Sequence, residues 1–268
     1  MIGISAAPRS SPSSVDILGV RVSAVTMDEA LTTIEGWIVR GTRSYVCVSG
    51  MHGVMESQGD DRLRRIHNTA GLVTPDGMSL VWLCRLKGQR TVERVYGPDL
   101  MLALCERSLW GGYRHFFYGA SPAVLDALTA SLCSRFPGLE VAGSFAPPFR
   151  PLTPDEDAET IQRINDAQPD VVWVGLSTPK QERWMAAHVG RLTAPVLIGV
   201  GAAFDFHAGV KRQAPRWMQR NGLEWLFRLL SEPRRLWRRY LVNIPLFAAY
   251  LVLEALGLRA RHRSGGRL

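Results

Sequence analysis

The segment Gly71-Leu72-Val73-Thr74-Pro75-Asp76-Gly77-Met78-Ser79-Leu80-Val81-Trp82 holds a short apolar run, a proline and then a carboxylate. Leu72 and Val73 read as a strand that stops at Pro75, which has no N–H to continue a ladder. Met78, Val81 and Trp82 then fall at helical spacing, so Asp76-Gly77 is a strand-to-helix turn. In α/β folds that turn, at the carboxyl end of a strand, borders the crevice where ligands bind beside the helix N-terminus. Asp76 has two readings there: an N-cap that satisfies orphan amides, or a carboxylate that does chemistry.

The same alternation recurs on both sides. Toward the N-terminus, 16–23 reads as a strand, Thr26-Met-Asp-Glu29 opens a helix to about 40 by the S/T-x-x-E capping pattern, and 44–49 is a buried strand. That strand ends in Ser49-Gly50-Met51-His52-Gly53, a second polar strand-end loop, and 54–70 is helical. Toward the C-terminus, the helix after Asp76 runs to 86, 90–96 is β-rich and basic, and Gly97-Pro98-Asp99 starts a helix that stops at Trp110-Gly111-Gly112. Strands then fall at 115–119, 139–145, 170–175 and 194–201, with helices over 122–136, 153–167 and 179–189 between them. Such spacing implies an α/β fold, a parallel sheet covered on both faces.

Past 209 only helical patterns occur, over 215–220 and 222–230, followed by a last helix capped by Ser231 with Pro233 in its first turn. In that helix Arg235, Arg238 and Arg239 make one basic ridge, beside an apolar stripe of Leu236, Trp237, Tyr240 and Leu241. The expected division is a disordered leader (1–15), an α/β core (16–210), a helical appendage (211–258) and a basic disordered tail (259–268).

The chain has 268 residues, 46% of them hydrophobic, enough to bury a full core. Cys47, Cys84, Cys105 and Cys133 show no CxxC spacing, which suits a reduced cytosolic setting without a zinc site. The leader is rich in Ser and Pro and lacks the apolar segment of a signal peptide. The longest apolar run, 244–253, contains Pro245 and falls short of the ~20 residues a spanning helix needs. Charge is uneven: 211–268 carries 13 Lys/Arg against 3 Asp/Glu, a net of +10, which leaves 19 against 21, a net of −2, for 1–210. A positive field beside apolar residues points to anionic lipid, a phosphorylated ligand or nucleic acid. The tail aromatics lie on the apolar stripe and not among the arginines, which argues against a nucleic-acid stacking platform.

Several turns could carry chemistry. Gly119-Ala120-Ser121-Pro122 offers amides and a hydroxyl at a helix start, either a phosphate cradle or an ordinary Ser-capped turn. Gly199-Val-Gly201-Ala-Ala-Phe204 lacks the third glycine of GxGxxG, which weakens a dinucleotide oxidoreductase. Within Gly175-Leu-Ser-Thr-Pro-Lys-Gln-Glu-Arg183, Gln181 and Glu182 can hold ribose or sugar hydroxyls, or simply supply polarity to a helix start. Asp205, between Phe204 and Phe206, needs a donor: the amide of a base, or a helix end to cap. Asp155-Glu156-Asp157 sits in a first helical turn, and His52, His67, His115, His188 and His207 show no ligand spacing, so no metal is expected. Arginines must then neutralise any departing diphosphate.

Taken together, Thr74-Pro-Asp-Gly-Met, Arg94-Val-Tyr-Gly-Pro-Asp-Leu-Met, Gly175-Leu-Ser-Thr-Pro-Lys-Gln-Glu, Ile198-Gly-Val-Gly-Ala-Ala-Phe-Asp-Phe and Ala214-Pro-Arg-Trp-Met-Gln-Arg-Asn-Gly-Leu-Glu-Trp-Leu-Phe-Arg resemble the WecG/TagA/CpsF family of bacterial glycosyltransferases, from about 16 to 247. The resemblance implies a Rossmann-like core, a C-terminal appendage that lends arginines to the site and helps membrane docking, and no cofactor. It implies metal-independent, inverting transfer from a UDP-sugar, often UDP-N-acetylmannosamine or its uronic acid, to an undecaprenyl-diphosphate-linked saccharide at the inner membrane face. On matching positions, Asp76 is the general base, Arg228, Arg235 and Arg238 steady the diphosphate, and Gly119, Ser121, Gln181, Glu182 and Asp205 bind the nucleotide. The departure is at Ser49-Gly-Met-His52: Ser49 keeps the family's hydroxyl, but Met51 stands where its Asn is expected, with His52 beside it.

A base on one side and arginines on the other meet the needs of glycosyl transfer. The expected protein is cytoplasmic and peripheral on the inner face of the plasma membrane, with UDP-sugar, lipid-linked acceptor and anionic lipid as partners, no nucleic acid, and room for a homo-oligomer. The competing readings are a nicotinamide-dependent Rossmann oxidoreductase and a non-catalytic basic membrane-docking protein.

Overall fold

The computed structural model describes residues 12–258. The first 11 residues of the expected leader and the whole expected tail, 259–268, lie outside them. β1 (Ser14–Ile17) and β2 (Val20–Ser23) pair antiparallel, so 16–23 is part of a hairpin and not one strand. Leu18 and Gly19 both take left-handed φ, 52° and 83°, and the Gly19 amide donates to Asp16 Oδ1 at 2.9 Å. β1 also begins inside the expected leader, because Val15 and Ile17 are buried in the core.

α1 (Met27–Arg40) opens with the expected capping box: Glu29 N donates to Thr26 Oγ1 at 3.2 Å, and Thr26 N to Glu29 Oε2 at 2.8 Å. β3 (Ser44–Ser49), α2 (Met51–Glu56), α3 (Asp61–Thr69), β4 (Leu72–Pro75) and α4 (Met78–Leu86) follow. The helix expected over 54–70 is broken in two, since Asp60 caps α3 by accepting from Leu63 N at 2.9 Å. The basic stretch 90–96 forms no strand. Its amides go to different segments, Val95 to the Pro75 carbonyl (3.0 Å) and Glu93 to the Val25 carbonyl (3.2 Å), which leaves no ladder.

The chain continues as α5 (Gly97–Gly111), β5 (His115–Gly119), α6 (Pro122–Arg135), β6 (Val141–Phe145), α7 (Pro154–Asp166), β7 (Val171–Gly175), α8 (Lys180–His188) and β8 (Val196–Gly199). β3 to β8 form a six-stranded parallel sheet in the order β4-β3-β8-β7-β5-β6. Alternate residues enter two cores: Tyr45 and Cys47 join Ile66, Ile164 and Met185 on one face, while Val46 and Val48 join Ile34, Leu104 and Leu128 on the other. Both faces are covered, which is why the strands read as continuous apolar runs. The fold is the parallel α/β architecture that the spacing predicts, and it is consistent with the Rossmann-like core that the resemblance implies.

Short helices α9 (Ala203–His207), α10 (Arg216–Arg220) and α11 (Glu224–Ser231) lead to α12 (Pro233–Leu241) and α13 (Asn243–Ala255). Ser231 ends α11 and does not cap α12: its hydroxyl donates to the Phe227 carbonyl at 2.8 Å, and Glu232 takes the cap position. The expected single stripe on α12 is split, with Leu236 and Tyr240 buried and Trp237 and Leu241 45% and 58% exposed. α13 buries Phe247 in the core and exposes Val252. Among the described residues no helix is long and apolar enough to cross a membrane.

One buried polar group links this core to pH. Trp173 Nε1 donates to His115 Nδ1 at 2.9 Å, so Nε2 carries the proton, 2.8 Å from Ser108 Oγ. Burial pushes the His115 imidazole down to about 4. An unfolded chain takes up that proton near 6.5 and the folded one does not, so stability falls as pH drops from about 6.5 toward 4. Urea unfolding is expected to lose roughly 2 kcal/mol between pH 7 and pH 5 from this group. Most of that slope should vanish in His115→Gln; an unchanged slope would assign the effect elsewhere.

Candidate active site

The carboxyl ends of the sheet strands open on a cleft of about 1270 Å³, bordered by α11 and α12. Asp76 lies at its β4 end. The Asp76 amide donates to the Ser49 carbonyl at 3.0 Å, tying the β4 turn to the β3 turn. Its Oδ1 accepts from Gly97 N at 3.1 Å. Oδ2 faces Gly50, where a Cβ would come within 3.9 Å of it. Asp76 is not the helix cap: Gly77 holds that position in α4, with no side-chain cap bond. Burial raises the Asp76 pKa above the usual carboxylate range; Arg94 and Arg228 pull it back, and Glu224 adds to the rise.

The turn is braced by Arg94. Its Nε donates to the Asp76 carbonyl, Nη2 to Glu224 Oε2, and Nη1 to Gln219 Oε1 at 3.4 Å. The guanidinium lies 3.9 Å over the Tyr96 ring, and the Tyr96 hydroxyl donates to Glu224 Oε1 at 3.2 Å. Arg94 and Glu224 are 130 residues apart, so no local pattern could have paired them.

Arg228 lines the same cleft, half-buried and without an ion pair among the described residues. Burial works against its charge, but Tyr240, Glu224, Asp76 and Tyr96 outweigh that and hold the guanidinium above its ordinary pKa. Arg235 also lines the cleft, held by Glu232 at 2.7 Å. Arg238 does not line it: the side chain is exposed, 5.2 Å over the Trp237 ring, because only one side of α12 faces the cleft. The Arg239 side chain lies outside the described set.

The remaining expected residues divide the same way. His52, Ser121, Gln181 and Asp205 line the cleft. His52 Nδ1 is 3.6 Å from Glu56 Oε1 one helical turn on, and Ser121 caps α6, its Oγ accepting from Val124 N at 3.4 Å. Asp205 neither caps a helix nor stands free, since Lys211 Nζ pairs with it at 2.8 Å and reaches on to Glu232 at 3.7 Å. Ser49 is sealed beneath the cleft, 3% exposed, with Oγ 3.3 Å from His67 Nε2. Glu182 is fully buried behind Gln181, its Oε1 accepting from Thr178 Oγ1 at 2.8 Å and Gln181 Nε2 at 3.2 Å. Glu182 therefore orients the Gln181 amide and does not itself reach the cleft. Gly119 contributes through its backbone: at φ 125° a Cβ would meet the Gly175 carbonyl atoms at 2.7 Å. Sequence reasoning also missed the far wall, the loop from Pro147 to Pro154 facing a stack of Tyr118, Trp184 and His188 with ring centroids 4.2 Å apart. Loop prolines and aromatics at unrelated positions carry no periodic signal.

The Gly119 contact makes a prediction. Gly119→Ala adds both the clash and a forbidden φ, and is expected to cost about 3 kcal/mol or more in urea unfolding. A variant of wild-type stability would mean that the β5 and β7 tips are not so closely apposed.

Residues 15–261 match the family model described as Glycosyl transferase WecG/TagA/CpsF family. The N-acetylglucosaminyldiphosphoundecaprenol N-acetyl-beta-D-mannosaminyltransferase of Bacillus spizizenii is 30% identical over 210 residues, 78% of this chain and 79% of the relative. The protein of the same description from Staphylococcus aureus strain MW2 is 27% identical over 241 residues, 89% of this chain and 92% of the relative.

Proposed function

The chain belongs to the WecG/TagA/CpsF family of glycosyltransferases, and on that premise we propose that it transfers an N-acetylmannosamine-like sugar from a UDP-sugar to an undecaprenyl-diphosphate-linked saccharide in cell-surface polysaccharide synthesis. The observation that carries this reading is the pairing of Asp76, a carboxylate with raised proton affinity, with Arg228, a guanidinium without an ion partner among the described residues, on one cleft. The acceptor named in the relatives' description, N-acetylglucosaminyldiphosphoundecaprenol, fits a cleft bordered by cationic, apolar-faced helices.

In this mechanism Asp76 takes the proton of the acceptor hydroxyl as its oxygen attacks the anomeric carbon from the face opposite UDP. The new glycosidic bond forms while the bond to the UDP oxygen breaks, which inverts the configuration. Arg228 and Arg235 neutralise the departing diphosphate, the task a metal ion performs elsewhere. Gln181, Asp205, Ser121 and His52 are the side chains left to hold donor and acceptor; Arg238, outside the cleft, is given no contact. A base raised by burial suits its role, because proton transfer is most effective when the pKa approaches the working pH.

The core (16–210) and appendage (211–258) divide the labour in this reading, the second supplying arginines and a docking surface. Trp237, Leu241, Leu246, Val252 and Leu253 are exposed apolar residues on α12 and α13, and with the neighbouring arginines they suit peripheral binding to the anionic inner face of the plasma membrane. Because Phe247 is buried in the core, removing everything from Ser231 onward would also take Phe247 out of that core, and point variants test the docking surface more cleanly.

Asp76→Asn is expected to lower transfer about 10²- to 10⁴-fold while UDP binding by calorimetry persists. Loss of binding along with turnover would remove Asp76 from the role of base. In the wild type, kcat/KM should fall as pH drops through the raised Asp76 pKa, with an acid limb above the ordinary aspartate value of about 3.9. Mass analysis of products from a panel of UDP-sugars with a short-chain lipid-diphosphate acceptor identifies the sugar; no glycoside, but reduction of added NAD(P)+ with oxidation of the sugar, would favour the oxidoreductase. Sedimentation with phosphatidylglycerol vesicles should weaken in Trp237→Ser/Leu241→Ser and at high salt; unchanged binding in both tests would count against the docking surface.

A further inference from the structure

Asp76 and Glu224 are two carboxylates on the same pair of guanidiniums. Arg94 is within reach of both, yet its charge is committed to one: Nη2 binds Glu224, whereas Asp76 offers Arg94 only its backbone carbonyl. Among the described residues the Asp76 carboxylate forms no ion pair, and the hydrogen bond it accepts comes from the neutral Gly97 amide. Glu224 is held in place from three directions, by Arg94, by the Tyr96 hydroxyl at 3.2 Å, and by its position in the first turn of α11. An unopposed Arg94 beside a buried carboxylate would draw it into a bidentate pair, which is the stable arrangement for those two groups and a poor one for a base.

We propose that Glu224 is a positioning residue for the reaction: it takes up the Arg94 guanidinium, so that Arg94 braces the Asp76 turn through the main chain and leaves the Asp76 carboxylate unpaired and basic. This rests on the reading of Asp76 as the base. The base strength is then set from α11, an element 130 residues away from Arg94 in the chain. The other groups facing this cluster are Arg228, Tyr96 and, beyond Arg228, Tyr240. Arg228 lowers the Asp76 pKa as Arg94 does, and Glu224 raises it.

The test is a carboxyl ¹³C NMR titration of full-length protein labelled at aspartate, with the Asp76 signal identified by its loss in Asp76→Asn. In Glu224→Gln the Asp76 midpoint should move down by about one pH unit, the order expected for one charge removed at an effective dielectric near 20. Arg94→Gln should move it up. Glu224→Asp, which keeps the charge, should restore most of the wild-type midpoint. A role limited to holding α11 against the core predicts loss of stability in Glu224→Gln with the Asp76 midpoint unmoved, and that result overturns the proposal. If Glu224→Gln does not fold, Arg94→Gln decides: an unmoved or lowered midpoint sinks the proposal equally. The titration needs no turnover, so it separates the two claims. A shifted Asp76 with no glycosyl transfer from any UDP-sugar would leave Glu224's influence intact and defeat the function. Transfer that depends on Asp76 with an acid limb indifferent to Glu224 would do the reverse.

Discussion

The constraint on which the site depends is the Arg94 guanidinium, which joins the end of β4 to the helices after β8. It donates to a main-chain carbonyl at the Asp76 turn and to side chains of α10 and α11, and its face lies on Tyr96. A planar fork with several donors can make all these contacts at once; an ammonium could not span them. Arg94 thereby fixes the first turn of α11 beside the Asp76 turn, and Arg228, one helical turn past Glu224, lines the same cleft and acts electrostatically on Asp76. Burial makes the arrangement hold: each charge in it would be costly alone, and none is left far from an opposite one.

The same economy of polar groups appears under the cleft. Gln181, Glu182, Ser49 and His67 are buried where an apolar core would pack more simply. Their bonds form two groups: Ser49 bonds to His67, and Glu182 holds the amide of Gln181, which lines the cleft. Burial lowers the His67 pKa while Glu182 raises it, and the result stays below the usual histidine value. The imidazole is therefore neutral at pH 7 and bonds to Ser49, Ser57 and the Leu63 carbonyl. Such a network restricts side-chain orientation more than it adds stability.

The helices after β8 are amphipathic in two senses. One side of α12 puts Leu236 and Tyr240 inward and Arg235 at the cleft, and another presents Trp237 and Leu241 to solvent. The salt-bridge chain Asp205, Lys211, Glu232 and Arg235 ties that helix to α9, which follows β8, so the cationic wall is not loosely attached.

Local chemistry sufficed for much of the fold. The Thr26/Glu29 and Thr153/Glu156 capping boxes, the apolar runs of β3, β5 and β7 and the punctuation at Pro75 and Gly112 depend on neighbours within a few residues, so the parallel α/β order, the Asp76 turn and the arginine-rich C-terminal helices are all legible in the chain. What residue types alone could not decide was which polar groups meet. Ser49 and Glu182 stand at strand and helix ends as a ligand-binding residue would, yet the alternation of the strand and the rotation of α8 turn both beneath the surface. Arg238 is one helical turn from a cleft-lining residue and points away. Arg94 and Glu224 become partners only when the fold brings the end of β4 to the helices after β8, because burial and charge pairing act through space and leave no mark on sequence spacing.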